Sequence, residues 1–116
     1  MLKGLGNLGD MAKLMQKAQQ VQEKIAEAQR TIAEIEVEGV AGAGMVRARV
    51  GADGTVRALN IDASLLSGEE EKAVVEDLVV AAINDAAGRA KDVAKEEMAK
   101  ATEGLPLPPG MQLPFG

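Results

Sequence analysis

The chain has 116 residues and a formal net charge of −5, and it contains no cysteine and no histidine. This length predicts a single domain, and the composition excludes disulfides, thiol nucleophiles, histidine acid–base chemistry and zinc sites built on either ligand. Because Phe115 is the only aromatic residue, any core must consist of aliphatic side chains and many alanines.

The glycine-rich start of the chain allows two interpretations. Residues 4–9 read GLGNLG and therefore contain the pattern G-x-G-x-x-G. In dinucleotide-binding folds this pattern follows a strand and presents the N-terminus of a helix to pyrophosphate. Only three residues precede Gly4, too few for such a strand. The pattern therefore favours a flexible lead-in to a helix over a phosphate-binding loop.

A long first helix is predicted over residues 10–33, with Asp10 as its N-cap. Apolar residues recur along it at alternating steps of three and four, which is the spacing of a heptad seam. We interpret this seam as a contact between two copies of the chain. Its members are Met11, Leu14, Ala18, Val21, Ile25 and Ala28.

The hydrophobic period changes from about 3.6 to 2 after this helix, which predicts three short antiparallel strands over residues 34–62. Glycine-rich turns are expected at residues 39–44 and 51–54. One face of the sheet should be apolar and the other charged. The apolar positions are Val46, Ala48 and Val50 in the middle strand, and Leu59 and Ile61 in the third.

Two arginines of the middle strand, Arg47 and Arg49, belong to the charged face and allow two interpretations. They could contact nucleic acid, or they could pair with Glu36 and Glu38 on the neighbouring strand. Opposite charges on adjacent strands stabilise a sheet without any ligand. We therefore favour cross-strand ion pairs.

A second long helix is predicted over residues 69–102. Ser67 and Glu70 form a capping-box pattern at its start, and its first half is apolar on most of its circumference. That half should be buried against the sheet, while the polar second half should project into water. Residues 104–116 contain all four prolines and are predicted to form a flexible or extended tail after a single domain over residues 1–103.

The predicted helices are too long for a compact monomer. Helices of about 24 and 34 residues would measure about 36 and 50 Å, whereas a globule of this size has a diameter of roughly 35 Å. Either the helices protrude or a partner covers them, and the apolar seam favours a symmetric homodimer. The predicted fold is α+β, with the order α-β-β-β-α and projecting helices.

Four segments that together cover nearly the whole chain carry a set of motifs in a fixed order. They read GLGNLGDMAKLMQKAQQVQEKI, EVEGVAGAGMVRARVGADGTVRALNIDASLL, EDLVVAAINDAAGRAK and PPGMQLPF. Together they resemble the YbaB/EbfC family of bacterial nucleoid-associated proteins. The resemblance implies a helix, three strands and a helix, paired as a dimer whose projecting helices form tweezers, and it implies binding to DNA.

Candidate phosphate-contacting residues lie on the projecting helices. Three lysines of the first helix fall within about 40° of one another on a helical wheel, next to the apolar seam. Such an edge is typical of a solvated face beside a dimer contact, and the family resemblance makes phosphate contact an equal alternative. The candidates are Lys13, Lys17, Gln20 and Lys24 on the first helix, and Lys91 and Lys95 on the second.

The leading interpretation is a homodimeric nucleoid-associated protein that binds duplex DNA through its backbone and shape. It would contribute to nucleoid organisation, with gene regulation as a secondary role. Residues 1–30 carry five basic against three acidic residues, whereas residues 63–116 carry five against ten. The acidity of the second half favours the alternative, a dimeric protein-binding scaffold with little or no affinity for DNA.

Several other functional classes are not expected. The adjacent carboxylates Glu76 and Asp77 have no nucleophile or metal ligands beside them in the pattern, so neither catalysis, a metal, a cofactor nor a small-molecule substrate is predicted. No apolar run approaches the roughly 20 residues that span a bilayer, and no signal sequence is apparent. We expect a soluble cytoplasmic protein associated with the nucleoid, without a membrane partner.

Overall fold

A computed structural model describes the backbone of residues 2–104 and the side chains of residues 8–104. The tail predicted over residues 104–116 therefore lies almost entirely outside the described part of the chain. The elements are α1 (Leu2–Glu34), β1 (Glu36–Ala41), β2 (Val46–Gly51), β3 (Val56–Ile61), a short 3-10 helix (Ala63–Leu66) and α2 (Lys72–Thr102). The strands form one antiparallel sheet in the order β1-β2-β3. The predicted α-β-β-β-α fold is confirmed.

Helix α1 begins eight residues earlier than predicted, at Leu2, so the prediction of Asp10 as its N-cap is wrong. Residues 4–9 continue the helix and form neither a flexible lead-in nor a phosphate-binding loop. Glycine disfavours a helix by about 1 kcal/mol relative to alanine but does not prevent one. Leucines at positions 5 and 8 also extend the apolar spacing upstream of Asp10.

Helix α2 begins at Lys72, and the predicted capping box of Ser67 and Glu70 does not form. Glu71 occupies the N-cap position without a side-chain hydrogen bond to the helix. Ser67 instead ends the short 3-10 helix, and its hydroxyl donates to the carbonyl oxygen of Ser64 at 2.9 Å. Ser67 therefore belongs to the end of the 3-10 helix and not, as predicted, to the start of α2.

The core lies between the sheet and the first half of α2. Val46, Ala48 and Val50 of β2 are each 0% exposed, which confirms the predicted apolar face. Helix α2 presents small side chains at four-residue spacing to this face, namely Ala82, Ala86 and Ala90. Because alanine has a short side chain, the helix axis lies close to the sheet.

The opposite face of the sheet carries the predicted cross-strand ion pairs. Arg47 donates to Glu38 at 2.8 Å, and the Arg49 guanidinium lies 3.6 Å from the Glu36 carboxylate. The four side chains are between 35% and 59% exposed, so solvent screens both pairs and each contributes less than about 1 kcal/mol. The structure therefore supports the interpretation of these arginines as ion-pair partners within the sheet.

Helix α2 approaches β1 closely at Gly39, which is a strand residue and not part of a turn. The turn predicted at residues 39–44 is shorter, and its hydrogen bond joins the Met45 amide to the Gly42 carbonyl at 3.1 Å. A Cβ atom built on Gly39 would overlap backbone atoms of Ala82 and Ala86. Glycine at this position permits direct contact between the two backbones.

A hydrogen bond fixes the orientation of α2 about its own axis. The Val40 amide of β1 donates to Asp85 Oδ2 at 3.0 Å, and Arg89 Nε lies 3.4 Å from the same oxygen. The hydrogen bond from the Val40 amide, and to a smaller extent the positive charge of Arg89, hold the pKa of Asp85 below its usual value. Because Asp85 faces the outer side of β1, the opposite flank of α2 faces the β3 side of the sheet.

The molecule is a rod of 84 × 21 × 17 Å. A second apolar cluster joins α1 to the C-terminal half of α2 and consists of Ala28, Ile32, Ala52, Ala94 and Met98, with Ile25, Ile35, Val93 and Ala101 at its border. Residues 8–20 of α1, which we call the arm, lie beyond this cluster and are exposed except for the half-buried Ala18. Over the described residues, neither long helix has an apolar stretch sufficient to cross a membrane.

Candidate nucleic-acid interface

The basic edge of α1 consists of Lys13, Lys17, Gln20 and Lys24. All four side chains are exposed, and three of the four belong to the arm. At 1.5 Å per residue, the edge extends over about 17 Å along one side of the helix. Exposed ammonium groups on a protruding rod can approach phosphates without rearrangement of the fold.

The edge meets the body of the protein at Lys24. Its ammonium group lies 3.7 Å from the Glu27 carboxylate, and both side chains are more than half exposed. An exposed pair of this kind is weak, so a phosphate can replace the carboxylate at little cost. Lys100 of α2 lines the same surface depression as Lys24 and is 3.5 Å from Glu97.

Lys100 was not identified from the sequence. Its proximity to Lys24 depends on the antiparallel packing of α1 against α2, which the periodicity of either helix does not reveal. The nearest signal was its position in the last turn of the predicted second helix. Lys100 therefore adds one positive charge, partly neutralised by Glu97, at the base of the basic edge.

Lys91 and Lys95 lie on a different surface. They line a shallow depression that is formed by α2 alone and also contains Asn84, Asp85, Gly88, Arg89 and Asp92. Among the described residues, no side chain of α1 contributes to it. The structure therefore does not bring the two sets of candidate lysines into one continuous interface within a single chain.

The predicted dimer seam is divided between two environments. Ile25 and Ala28 belong to the apolar cluster with α2 of the same chain, and Val21 is only 1% exposed. Met11 and Leu14 of the arm are 57% and 61% exposed. The heptad spacing identified the apolar side of α1, but it did not specify which helix covers that side.

A second uncovered apolar surface lies on β3. Val56 and Leu59 pair with Val50 and Ala48 of β2 and so share the apolar face of the sheet, yet they are 51% and 43% exposed. Helix α2 packs over β1 and β2 and leaves these two side chains uncovered. Val80 is also exposed, and its position on the helical wheel places it on the flank of α2 opposite Asp85. Together we call Val56, Leu59 and Val80 the β3 patch.

A model of the YbaB/EbfC DNA-binding family matches residues 7–105. The structure is also similar to the crystal structure of uncharacterized protein HP0035 from Helicobacter pylori, with a TM-score of 0.58 and 21% sequence identity over 83% of this chain and 90% of that chain. At this identity the structural similarity supports the fold alone. The family match includes the whole basic edge and the β3 patch.

Proposed function

Because the chain belongs to the YbaB/EbfC DNA-binding family, we propose that it binds duplex DNA as a homodimer, with the basic edge of each α1 arm against the phosphate backbone. The observation that carries this proposal is the position of Lys13 and Lys17 on the exposed arm of α1, in a molecule that is 84 Å long. Lysines in this position can reach a duplex while the acidic remainder of the chain stays at a distance.

The overall charge of −5 is compatible with this interface because charge is unevenly distributed along the chain. Over residues 1–30, basic residues exceed acidic ones by two, and the Debye length of about 8 Å at physiological salt limits the reach of carboxylates on the distant sheet. The electrostatic potential at the proposed DNA contact is therefore determined mainly by the lysines of the basic edge and not by the net charge of the chain.

Backbone and shape recognition is favoured over base readout. The basic edge contains three lysines and one glutamine, whereas bidentate contacts to guanine are made most often by arginine. Arg47 and Arg49 are engaged with glutamates on the sheet. We propose limited sequence preference and a role in nucleoid organisation in the cytoplasm, to which gene regulation is secondary.

The dimer contact is proposed at the β3 patch. Val21 and Ala28 of the predicted seam are already buried within one chain, so they cannot form the main contact with a second copy. Val56, Leu59 and Val80 are large apolar side chains on one side of the molecule that the chain itself leaves uncovered. A symmetric pairing of this patch would give each dimer two arms.

Binding to unrelated duplexes tests the proposed function. We expect two labelled duplexes of equal length and unrelated sequence to give saturable fluorescence anisotropy at micromolar protein in about 150 mM salt. The affinities should agree within about tenfold and fall steeply as salt is raised. Absence of binding at this salt would instead support the protein-binding scaffold.

The substitution Leu59→Glu tests the dimer. A buried, unpaired carboxylate at the centre of the contact should weaken the dimer by at least about 100-fold, because desolvation of the charge costs several kcal/mol. Sedimentation velocity should then show single chains at concentrations where the wild-type protein is paired. Val74→Glu is the matched control, since Val74 is also exposed but lies on the Asp85 flank of α2. Equal effects of both variants, or a monomeric wild type, would contradict the assignment.

A further inference from the structure

Arg57 of β3 connects the sheet to the last turn of α1. Its guanidinium donates to the carbonyl oxygen of Ala33 at 2.6 Å, and it lies 3.8 Å from the Glu36 carboxylate and 3.7 Å from the Asp53 carboxylate. The Ala33 carbonyl is one of the last four of α1, which a helix leaves without a partner of its own. A positive charge is also favoured at this end of a helix. Arg57 thus joins α1, β1 and the turn between β2 and β3.

Two local features bring Arg57 to this position. A register shift between Arg49 and Val50 of β2 leaves Arg57 as an extra residue of β3. In a regular ladder Arg57 would lie opposite Val50 and share its buried face. The bulge turns it instead to the charged face, where it meets Glu36, the partner of Arg49. There it crosses Gly51, at which a Cβ atom would come within 2.5 Å of the guanidinium and displace it.

The C-terminal end of α1 is held from two sides. On the side of α2, Ala28 and Ile32 belong to the apolar cluster that contains Met98. On the charged side of the sheet, Arg57 is the one side chain of a strand, among the described residues, that is hydrogen-bonded to α1. Without Arg57 the helix would rest on the cluster alone, and the small side chains of that cluster allow it to tilt.

We propose that Arg57 is a positioning residue that fixes the direction of α1 relative to the sheet and so places the arm for DNA. The second part of this proposal rests on the proposed function. Lys13 lies 20 residues before Ala33, which corresponds to about 30 Å along the helix. A rotation of about 10° at Ala33 would move Lys13 by about 5 Å. An ammonium group displaced by this distance loses its contact with a given phosphate.

A distance measurement between two spin labels tests the attachment without DNA. The chain has no cysteine of its own, so Gln16→Cys and Gly88→Cys carry the labels. Gln16 is exposed on the arm, and a Cβ atom at Gly88 of α2 would meet no atom within 4 Å. Labelled chains are mixed with an excess of unlabelled protein, so that distances within one chain dominate. We expect Arg57→Gln to widen the distance distribution at least about twofold, because α1 is then held on one side.

Arg49→Gln is the matched control. Arg49 also lies beside Glu36 on the charged face, but its ion pair joins β2 to β1 and not to α1. Its distance distribution should match that of the wild type. An unchanged width in Arg57→Gln, or equal widening in both variants, would overturn the proposal.

Arg57→Lys decides the question if Arg57→Gln loses its helical circular dichroism. Lysine keeps the charge but has a single ammonium group, which does not span the three acceptors that the guanidinium reaches. We expect its distance distribution to be wider than that of the wild type. A width equal to the wild type would overturn the proposal.

Fluorescence anisotropy tests the consequence for DNA. Arg57→Gln and Arg49→Gln each remove one positive charge per chain, so a purely electrostatic effect would be the same for both. We expect Arg57→Gln to weaken binding at least about fivefold more, because its arms are no longer preorganised. Equal losses would contradict the role of Arg57 in placing the arm. Absence of binding by the wild type would refute the proposed function, whereas the label distances would still decide whether Arg57 fixes α1.

Discussion

Simultaneous replacement of Lys13, Lys17 and Lys24 by alanine is expected to weaken binding to every duplex by roughly 100-fold at about 150 mM salt. A dimer would lose six ammonium groups, and each phosphate contact contributes about 0.9 to the slope of log K against log salt. The slope should therefore fall in magnitude by between about 2 and 5. Fluorescence anisotropy over a salt series measures both quantities.

Two double variants separate the position of the charges from their number. Lys13→Ala with Lys17→Ala and Arg30→Ala with Lys72→Ala each remove two positive charges per chain, but Arg30 and Lys72 lie away from the basic edge. The first pair should weaken binding by at least about tenfold more than the second. Similar losses for both pairs would show that only net charge matters and would argue against a defined interface.

The second set of candidate lysines is addressed by the same assay. Lys91 and Lys95 lie in a depression of α2 that also contains Asp85 and Asp92. Nearby carboxylates lower the local positive potential, so their replacement should affect the affinity less than replacement of the arm lysines. This order of effects follows from the separation of the two surfaces within one chain.

The substitution Gly39→Ala is expected to lower the free energy of unfolding by about 3 kcal/mol, and Gly39→Val by more. The added Cβ would overlap backbone atoms of α2 at Ala82 and Ala86, which cannot move aside as a flexible side chain can. Such a loss is a large part of the 5–15 kcal/mol typical of a domain. Urea unfolding followed by circular dichroism measures it.

Gly88→Ala is the matched control for this substitution. Gly88 lies in α2, and a Cβ atom added there would meet no atom within 4 Å. The same chemical change should therefore stabilise the protein by up to about 1 kcal/mol, because alanine favours the helix. Opposite signs at the two positions would establish that helix–sheet distance, and not glycine itself, determines the result. A neutral Gly39→Ala would contradict the close approach.

The sequence predicted those features that depend on local alternation. The period of two places Val46, Ala48 and Val50 on one side of β2, and the charges at Arg47 and Arg49 necessarily fall on the other. Those two facts were sufficient for the buried face and the ion pairs. Each follows from neighbours along one strand or on the adjacent strand.

Features that depend on distant contacts were missed. Glycine is common in turns, so the sequence predicts a turn that includes Gly39, whereas its role here depends on Ala82 and Ala86, more than 40 residues away. Similarly, the periodicity of α1 marked its apolar side but could not distinguish α2 of the same chain from a second copy. The sequence places the start of α1 too late because glycine disfavours a helix without preventing one.

The hydrogen bond between Val40 and Asp85 has a consequence for aggregation. Unpaired amides on an outer strand invite strands of other molecules to add on, which can produce open-ended ribbons. At Val40 the amide is already occupied by a carboxylate of α2. Strand addition is thereby blocked at this point of β1, so growth of the sheet from that side is discouraged.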